Sequence, residues 1–224
     1  MKLSLPLAIM LGGVIVASAV YFSIEAKKPE TNIPHGNPAL VRPVGASDHI
    51  LGNPNASVMI VEYSDFDCAF CKTFNETLHE IVANEGATGK VAWVYREFPL
   101  IEIHPTAMAD ARAAECVAET AGNDAFWKFA DLLFANQPAD PARYGEFAQA
   151  AGVSGTAFAS CYANASTTVD ARILADRKNA LDMGARGTPY SLILVPDATP
   201  VVMDGAYPYD IVKQLVDRAL QNAK

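Results

Sequence analysis

Val58-Met59-Ile60-Val61-Glu62-Tyr63-Ser64-Asp65-Phe66-Asp67-Cys68-Ala69-Phe70-Cys71 runs from an apolar segment into a C-x-x-C pair. Its first six residues form a short, nearly continuous apolar run, the pattern of a strand buried on both faces. Phe70, Phe74, Leu78 and Ile81 then recur at helical spacing, and Gly86 marks the stop. The C-x-x-C pair therefore sits where a strand gives way to a helix. Two cysteines on a first helical turn can close a small disulfide ring, and the helix N-terminus favours thiolate over thiol on the leading one. That is the chemistry of thiol–disulfide exchange.

Working outward, Gly52-Asn53-Pro54-Asn55 is a turn signal before this strand, and Val91 to Phe98 reads as a second strand ended by Pro99. A helical block follows, from about Pro105 to Met183. Within it Asp124 reads as an N-cap, with Phe126, Phe129, Ala130, Leu133 and Phe134 along one helix face. Ser154 is placed to cap a short helix holding Phe158 and Cys161, and a longer helix runs from about Ala165 to Met183. Ser191 to Val195 and Val201 to Met203 return to strand pattern, and Pro208 opens an amphipathic helix through Val212, Leu215, Val216 and Ala219. The order strand, helix, strand, helical block, strand, strand, helix predicts a small α/β sheet interrupted by a helical insertion.

The chain has 224 residues, 51% of them apolar, and a formal net charge of −8. An acidic chain without a basic stripe argues against nucleic-acid binding. Leu3 to Ile24 carries no charge, so residues 1–26 read as a signal anchor or a signal peptide. Ala17-Ser18-Ala19 would serve as a cleavage site, but the apolar run continues past it far enough to cross a bilayer, which favours the anchor. Either reading places the body of the protein outside the cytoplasm. Residues 27–47, with prolines at 29, 34, 38 and 43, read as a linker, and the folded domain as 48–224.

The alternative for Cys68 and Cys71 is half of a zinc site. That would need a second close pair, and Cys116 and Cys161 are isolated, with no histidine cluster nearby. No metal and no cofactor are expected. Glu62 stands in an otherwise apolar strand, where a carboxylate is costly without a role. Beneath a dithiol it could move protons to and from Cys71; the alternative is a strand-end Glu facing solvent. Gly187-Thr188-Pro189-Tyr190 precedes the third strand. A cis Thr188–Pro189 bond would leave the Thr188 backbone free to pair with an extended peptide, and the alternative is a plain turn.

The chain resembles the DsbA-type thiol–disulfide oxidoreductases of the thioredoxin superfamily from about Asp48 to the C-terminus. The carrying residues are Val61 to Phe66, Cys68 and Cys71, Arg96-Glu97-Phe98-Pro99-Leu100 with His104-Pro105, and Ala113-Ala114-Glu115-Cys116. Phe126-Trp127, Leu132-Leu133-Phe134 and Gly187-Thr188-Pro189 continue the series. The resemblance implies a thioredoxin fold with an inserted helical domain, about residues 105–183. It implies that Cys68 is the exposed, attacked cysteine and Cys71 its buried partner, that Glu62 matches a buried acid, and that Pro189 matches a cis-proline facing the disulfide. Related sequences often carry Pro-Phe or Pro-His between the cysteines, where this chain has Ala69-Phe70, a departure that bears on redox poise. An even cysteine count in an exported protein favours pairing, and some members carry a second disulfide in the helical domain, so Cys116 and Cys161 are expected to bridge; two separate buried thiols are the alternative.

His104 before Pro105 is expected to fix a loop or a helix start, His79 is a poor base, Lys72 reads equally as local positive charge near the thiolate or as a solvated side chain, and Trp127 and Phe134 as core. The expected activity is dithiol oxidation of unfolded exported proteins, with a membrane partner of the DsbB or VKOR type reoxidising the pair. A reductase or isomerase run in reverse, and a non-enzymatic chaperone or thiolate metal module, are the competing readings.

Overall fold

The computed structural model describes residues 36–165 and 168–223. The expected membrane segment at residues 1–26 and the first part of the expected linker lie outside the described residues. Among the described residues no helix is long and apolar enough to cross a membrane.

Five strands form one mixed sheet: β1 (His49–Gly52), β2 (Val58–Ser64), β3 (Val91–Glu97), β4 (Tyr190–Leu194) and β5 (Val201–Asp204), in the spatial order β1-β3-β2-β4-β5. Helix α1 (Ala69–Glu85) links the parallel pair β2 and β3, which run in register from Val58↔Val91 to Ser64↔Glu97. The other pairings are antiparallel. Helices α2 (Ala107–Ala121), α3 (Asn123–Ala135), α4 (Tyr144–Ala150), α5 (Gly155–Asn164) and α6 (Val169–Asp182) make the insertion, and α7 (Tyr209–Asn222) follows the sheet.

Strand alternation sorts β2 onto two faces. Val58 and Ile60 join Trp93 and Tyr95 in a core with Phe74, Leu78, Ile81, Phe126 and Val216. Val61 and Tyr63 join Val94 in a second core with Ala180, Met183 and Leu192. The same alternation puts Glu62 on the face of Ile60, toward α1 and the cysteines, which the first core includes.

Three features depart from expectation. Strand β1 was not anticipated: four residues ending in Gly52, at φ 105°, are too few for an alternation to register. Asp124 does not cap α3. Gly122 at φ 82° precedes the helix, and Asn123 is the first helical residue, its side chain accepting from the Ile50 N–H and donating to the Ile50 carbonyl, both at 2.8 Å. Asp124 instead sits in the first turn, where its charge complements the helix dipole. Finally, residues read as linker are docked on the domain. Val41 and Val44 pack on the second core, the Arg42 N–H donates to Asn179 Oδ1 at 3.1 Å, and Asn179 Nδ2 donates to the Leu40 carbonyl at 2.8 Å. Ser154 does cap α5, accepting from the Ala157 N–H.

Cys116 of α2 and Cys161 of α5 are joined by a disulfide, with Cα atoms 5.6 Å apart across a 45-residue separation. Closing a loop of that length stabilises the fold by roughly 4 kcal/mol in the chain-entropy account. The bridge ties the insertion to itself and leaves Cys68 and Cys71 as the free thiols.

Candidate active site

Helix α1 begins immediately after Cys68, which holds extended backbone angles of φ −80° and ψ 119° at the N-cap position. The turn before it is set by Asp65, whose carbonyl accepts from the Cys68 N–H at 3.1 Å and whose carboxylate accepts from the Asp67 N–H at 2.8 Å. One turn further on, Cys71 points into the core. The two sulfurs differ in access, though less than expected: Cys68 is 6% exposed and Cys71 0%. Cys68, expected to be the exposed cysteine of the pair, is thus nearly covered.

The loop before β4 carries the cis Thr188–Pro189 bond. The Cys68 thiol donates to the Thr188 carbonyl at 3.4 Å, so strand β4 begins beside the dithiol. Phe70, between the cysteines, is 70% exposed and packs into neither core. Together the bare aromatic, the covered sulfur and the Thr188 backbone form a surface suited to an extended polypeptide.

The electrostatics separate the two thiols. Hydrogen bonding from the Cys71 thiol, from Thr188 and from the backbone N–H groups of Cys71 and Phe70 overrides burial and lowers the Cys68 pKa to about 6. Burial, with the Cys68 and Glu62 charges beside it, pushes Cys71 well above an ordinary thiol. A disulfide between them would therefore break with its stable thiolate on Cys68 and its proton on Cys71.

Glu62 is fully buried, and neither carboxylate oxygen has a hydrogen-bond partner among the described residues. Burial raises its pKa to about 8, against the weaker pull of the Ser64 hydroxyl and the Trp93 indole. The solvent-facing alternative for this residue is thereby excluded. A carboxyl that is protonated near neutrality, close enough to Cys71 to raise its pKa, is placed to exchange a proton with that sulfur.

The loop after β3 also reaches the site, which the sequence pattern did not reveal. The Asp65 carboxylate accepts from the Leu100 N–H at 2.7 Å and pairs with His104 Nδ1 at 2.8 Å. His104 thus fixes the loop, as expected, and does so against the turn that carries Cys68. The Thr106 hydroxyl donates to Asp67. The only sequence sign of this arrangement is the pair of aspartates, at 65 and 67, directly before the cysteine. His79 contacts Asp131 at 2.8 Å and lies edge-on to Trp93, away from any role as base, while Trp127 and Phe134 are core. Among the described residues no group of three or more His, Cys, Asp or Glu could hold a metal ion.

Comparison with known proteins places these features. A family model described as thioredoxin matches residues 46–194. The solved structure of Pseudomonas aeruginosa DsbA2 superimposes with a TM-score of 0.63 at 25% identity, covering 79% of this chain and 96% of that one. Wolbachia pipientis alpha-DsbA1 superimposes with a TM-score of 0.71 at 20% identity, covering 84% and 97%, a likeness of fold. Among curated proteins, the Na(+)/H(+) antiporter NhaA 3 of Salinispora tropica is 40% identical over 103 residues, which cover 44% of this chain and 15% of the antiporter. The chain thus matches only a small part of that relative's length.

Proposed function

This chain belongs to the thioredoxin family, and from that premise we propose that it is a DsbA-like thiol–disulfide oxidoreductase working as a dithiol oxidase on exported polypeptides. The observation that carries the proposal is the placement of its sulfurs, with Cys68 at the N-cap of α1 beside the carbonyl of the cis Thr188–Pro189 loop and Cys71 fully buried one turn on. A substrate thiolate attacks Cys68 Sγ of the oxidised pair. The substrate–Cys68 bond forms, the Cys68–Cys71 bond breaks, and the electron pair leaves on Cys71, which takes a proton from Glu62. A second substrate thiolate then attacks the substrate sulfur of the mixed disulfide. The substrate departs oxidised, and Cys68 leaves as its stabilised thiolate. The Thr188 backbone beside Pro189 holds the substrate strand.

The reduced pair must return its two electrons to a disulfide or quinone acceptor. A membrane protein of the DsbB or VKOR type is the proposed partner, and the uncharged segment at residues 3–24 is the proposed anchor holding the two in one plane. This location outside the cytoplasm agrees with the persistence of a Cys116–Cys161 bridge. The antiporter likeness covers 15% of that relative's length, and ion transport is not carried over from it.

The test is oxidation of a reduced, unfolded protein by the oxidised chain. Stoichiometric transfer at rates well above those of glutathione disulfide is expected, and Cys68→Ser should abolish it. Cys71→Ser has no disulfide to transfer and should be equally inactive toward the reduced substrate, but its Cys68 thiolate should trap a mixed disulfide when it is given a disulfide-bonded protein. Transfer that survives Cys68→Ser would remove the basis of the proposal.

A further inference from the structure

Ser191 of β4, Glu62 and Ser64 of β2, and Tyr95 and Glu97 of β3 share one face of the sheet, and their side-chain oxygens have no hydrogen-bond partner among the described residues. Each is 1% exposed or less. The register makes them neighbours. Glu62 pairs with Ser191 on one side and Tyr95 on the other, and Ser64, next along that face, pairs with Glu97. Neighbouring strands lie about 4.8 Å apart, and successive residues on one strand face about 6.6 Å. Each of these groups is therefore within reach of the next, directly or through one buried water.

The Tyr95 ring stacks on Phe66 at 5.0 Å and meets Phe126 edge-on at 5.5 Å, contacts that a phenylalanine would make as well. Its hydroxyl adds nothing to that packing, and a buried hydroxyl without a partner is unfavourable. Burial, then the charges of Glu97, Glu62 and Cys71, oppose its ionisation, which sets its oxygen among the three. Glu97 stands at the outer end of the row. Burial and the carboxylates of Glu115 on α2 and Asp176 on α6 hold the proton on it, against Arg172 of α6, and Asp65 of the turn before Cys68 adds to their effect. Asp176 accepts from the Glu97 N–H at 3.3 Å and pairs with Arg42, and Arg172 pairs with Glu115 at 3.1 Å. Both arginine side chains reach the surface. The polar row thus leads from the buried sulfur toward solvent.

We propose that Glu97 is the outer proton station of the exchange site, passing protons to and from Glu62 through the Tyr95 hydroxyl and buried water oriented by Ser64. The inference rests on the exchange reaction proposed above and deepens it. When Cys71 leaves the disulfide it takes the Glu62 proton, and a fully buried carboxylate remains. Glu97 gives its proton to the Tyr95 oxygen as the hydroxyl's own proton moves on to Glu62. Glu97 is left as the carboxylate and is recharged from solvent past Asp176. Before the pair is reoxidised Glu62 must release that proton, so that it can accept the one on Cys71, and the same chain runs in reverse. Only protons move along this route; the electron pair stays with the sulfurs.

The full chain, reduced, would be jumped in pH across about 8, where Glu62 titrates, and its carboxyl band followed by time-resolved infrared absorption. The Glu62 band is the one missing from Glu62→Gln. Glu97→Gln should slow the relaxation of that band roughly 10-fold, less than the loss of a direct acid because water still occupies part of the route. Tyr95→Phe, which keeps the ring contacts, should slow it as well, and it carries the test alone if Glu97→Gln does not fold. A relaxation unchanged in either folded variant would overturn the inference. The unaltered chain, oxidised, would be assayed alongside on a reduced, unfolded protein. Absence of substrate oxidation there would overturn the proposed function, and this inference with it. Unchanged relaxation beside intact oxidation would overturn the inference alone.

Discussion

Glu62→Gln raises the stability of the reduced protein at pH 7 by about 3 kcal/mol and slows disulfide exchange. The stability arm follows from linkage. In the unfolded chain Glu62 titrates at its ordinary value of 4.5, and in the folded chain at about 8, because burial disfavours its charge. Folding therefore takes up a proton between those values, and the carboxyl's contribution is most favourable below pH 4.5. It declines by about 1.4 kcal/mol per pH unit as pH rises to about 8, then levels off. Glutamine has no charge to lose, so the variant escapes the decline. Urea unfolding at pH 4 and pH 7 measures it: the two proteins should match at the lower pH and separate at the higher. The kinetic arm follows from geometry. Cys71 is 0% exposed, so a thiolate departing onto it meets no water, and Glu62 is the acid beside it. Its loss should slow exchange about 100-fold, the low end of what a positioned acid contributes. An unchanged rate would leave Glu62 as a buried cost with no part in proton transfer.

The second large effect is expected away from the sulfurs. Arg96 is 1% exposed, and every guanidinium N–H has a partner. Nε and Nη2 donate to the Asp48 carboxylate at 2.8 and 3.0 Å, Nη1 to the Tyr63 hydroxyl at 2.8 Å, and the remaining donors to the Arg42 and Pro43 carbonyls at 3.1 and 3.2 Å. The side chain thus ties β2 and β3 to residues 42–48. Arg96→Met strands an acid and two carbonyls together, and breaking one side of a buried pair costs about 3–5 kcal/mol. Burial alone would raise the Asp48 pKa, but Arg96 overrides it and holds the carboxyl below 3.8. The contribution is therefore complete above the unfolded value of 3.8 and fades as pH falls through the lower folded value. Chemical unfolding of Arg96→Met should show the deficit at pH 7 and a smaller one in strong acid. A loss under about 1 kcal/mol would mean that water replaces the network.

Arg96 also shows where sequence reading ran out. The nearly continuous apolar run from Val58 to Tyr63 and the helical spacing of Phe74, Leu78 and Ile81 were legible because each is a local pattern, whereas Phe70, at the same spacing, is exposed. The other buried strand runs and the Ser154 cap were legible in the same way. The C-x-x-C was legible as chemistry because two cysteines on a helix start have few other uses. Burial of Glu62 was not decidable from the strand alone; the structure covers both faces of β2, and the first core lies on the face that Glu62 shares with Ile60. Contacts made over long separations were hidden altogether. The Asp65–His104 pair spans 39 residues, and the Arg42 N–H to Asn179 contact spans 137. No local pattern records such meetings, and the docked linker, the edge strand β1 and the loop after β3 all depend on them.

The claim on which the rest depends is that the fold stabilises the Cys68 thiolate and so makes the pair an oxidant. The direct measurement is the reduction potential of the Cys68–Cys71 couple against glutathione, taken from pH 5 to pH 8. The account predicts a potential more oxidising than the glutathione pool at about −220 to −260 mV, since a stabilised reduced form raises it. It also predicts a change of slope near pH 6, where Cys68 titrates. Below that point reduction takes up two protons and the potential falls by about 59 mV per pH unit; above it one proton is taken up and the fall is about 30 mV. A potential near the −270 mV typical of thioredoxin, roughly, with the steeper slope throughout, would contradict the account and favour the reductase reading.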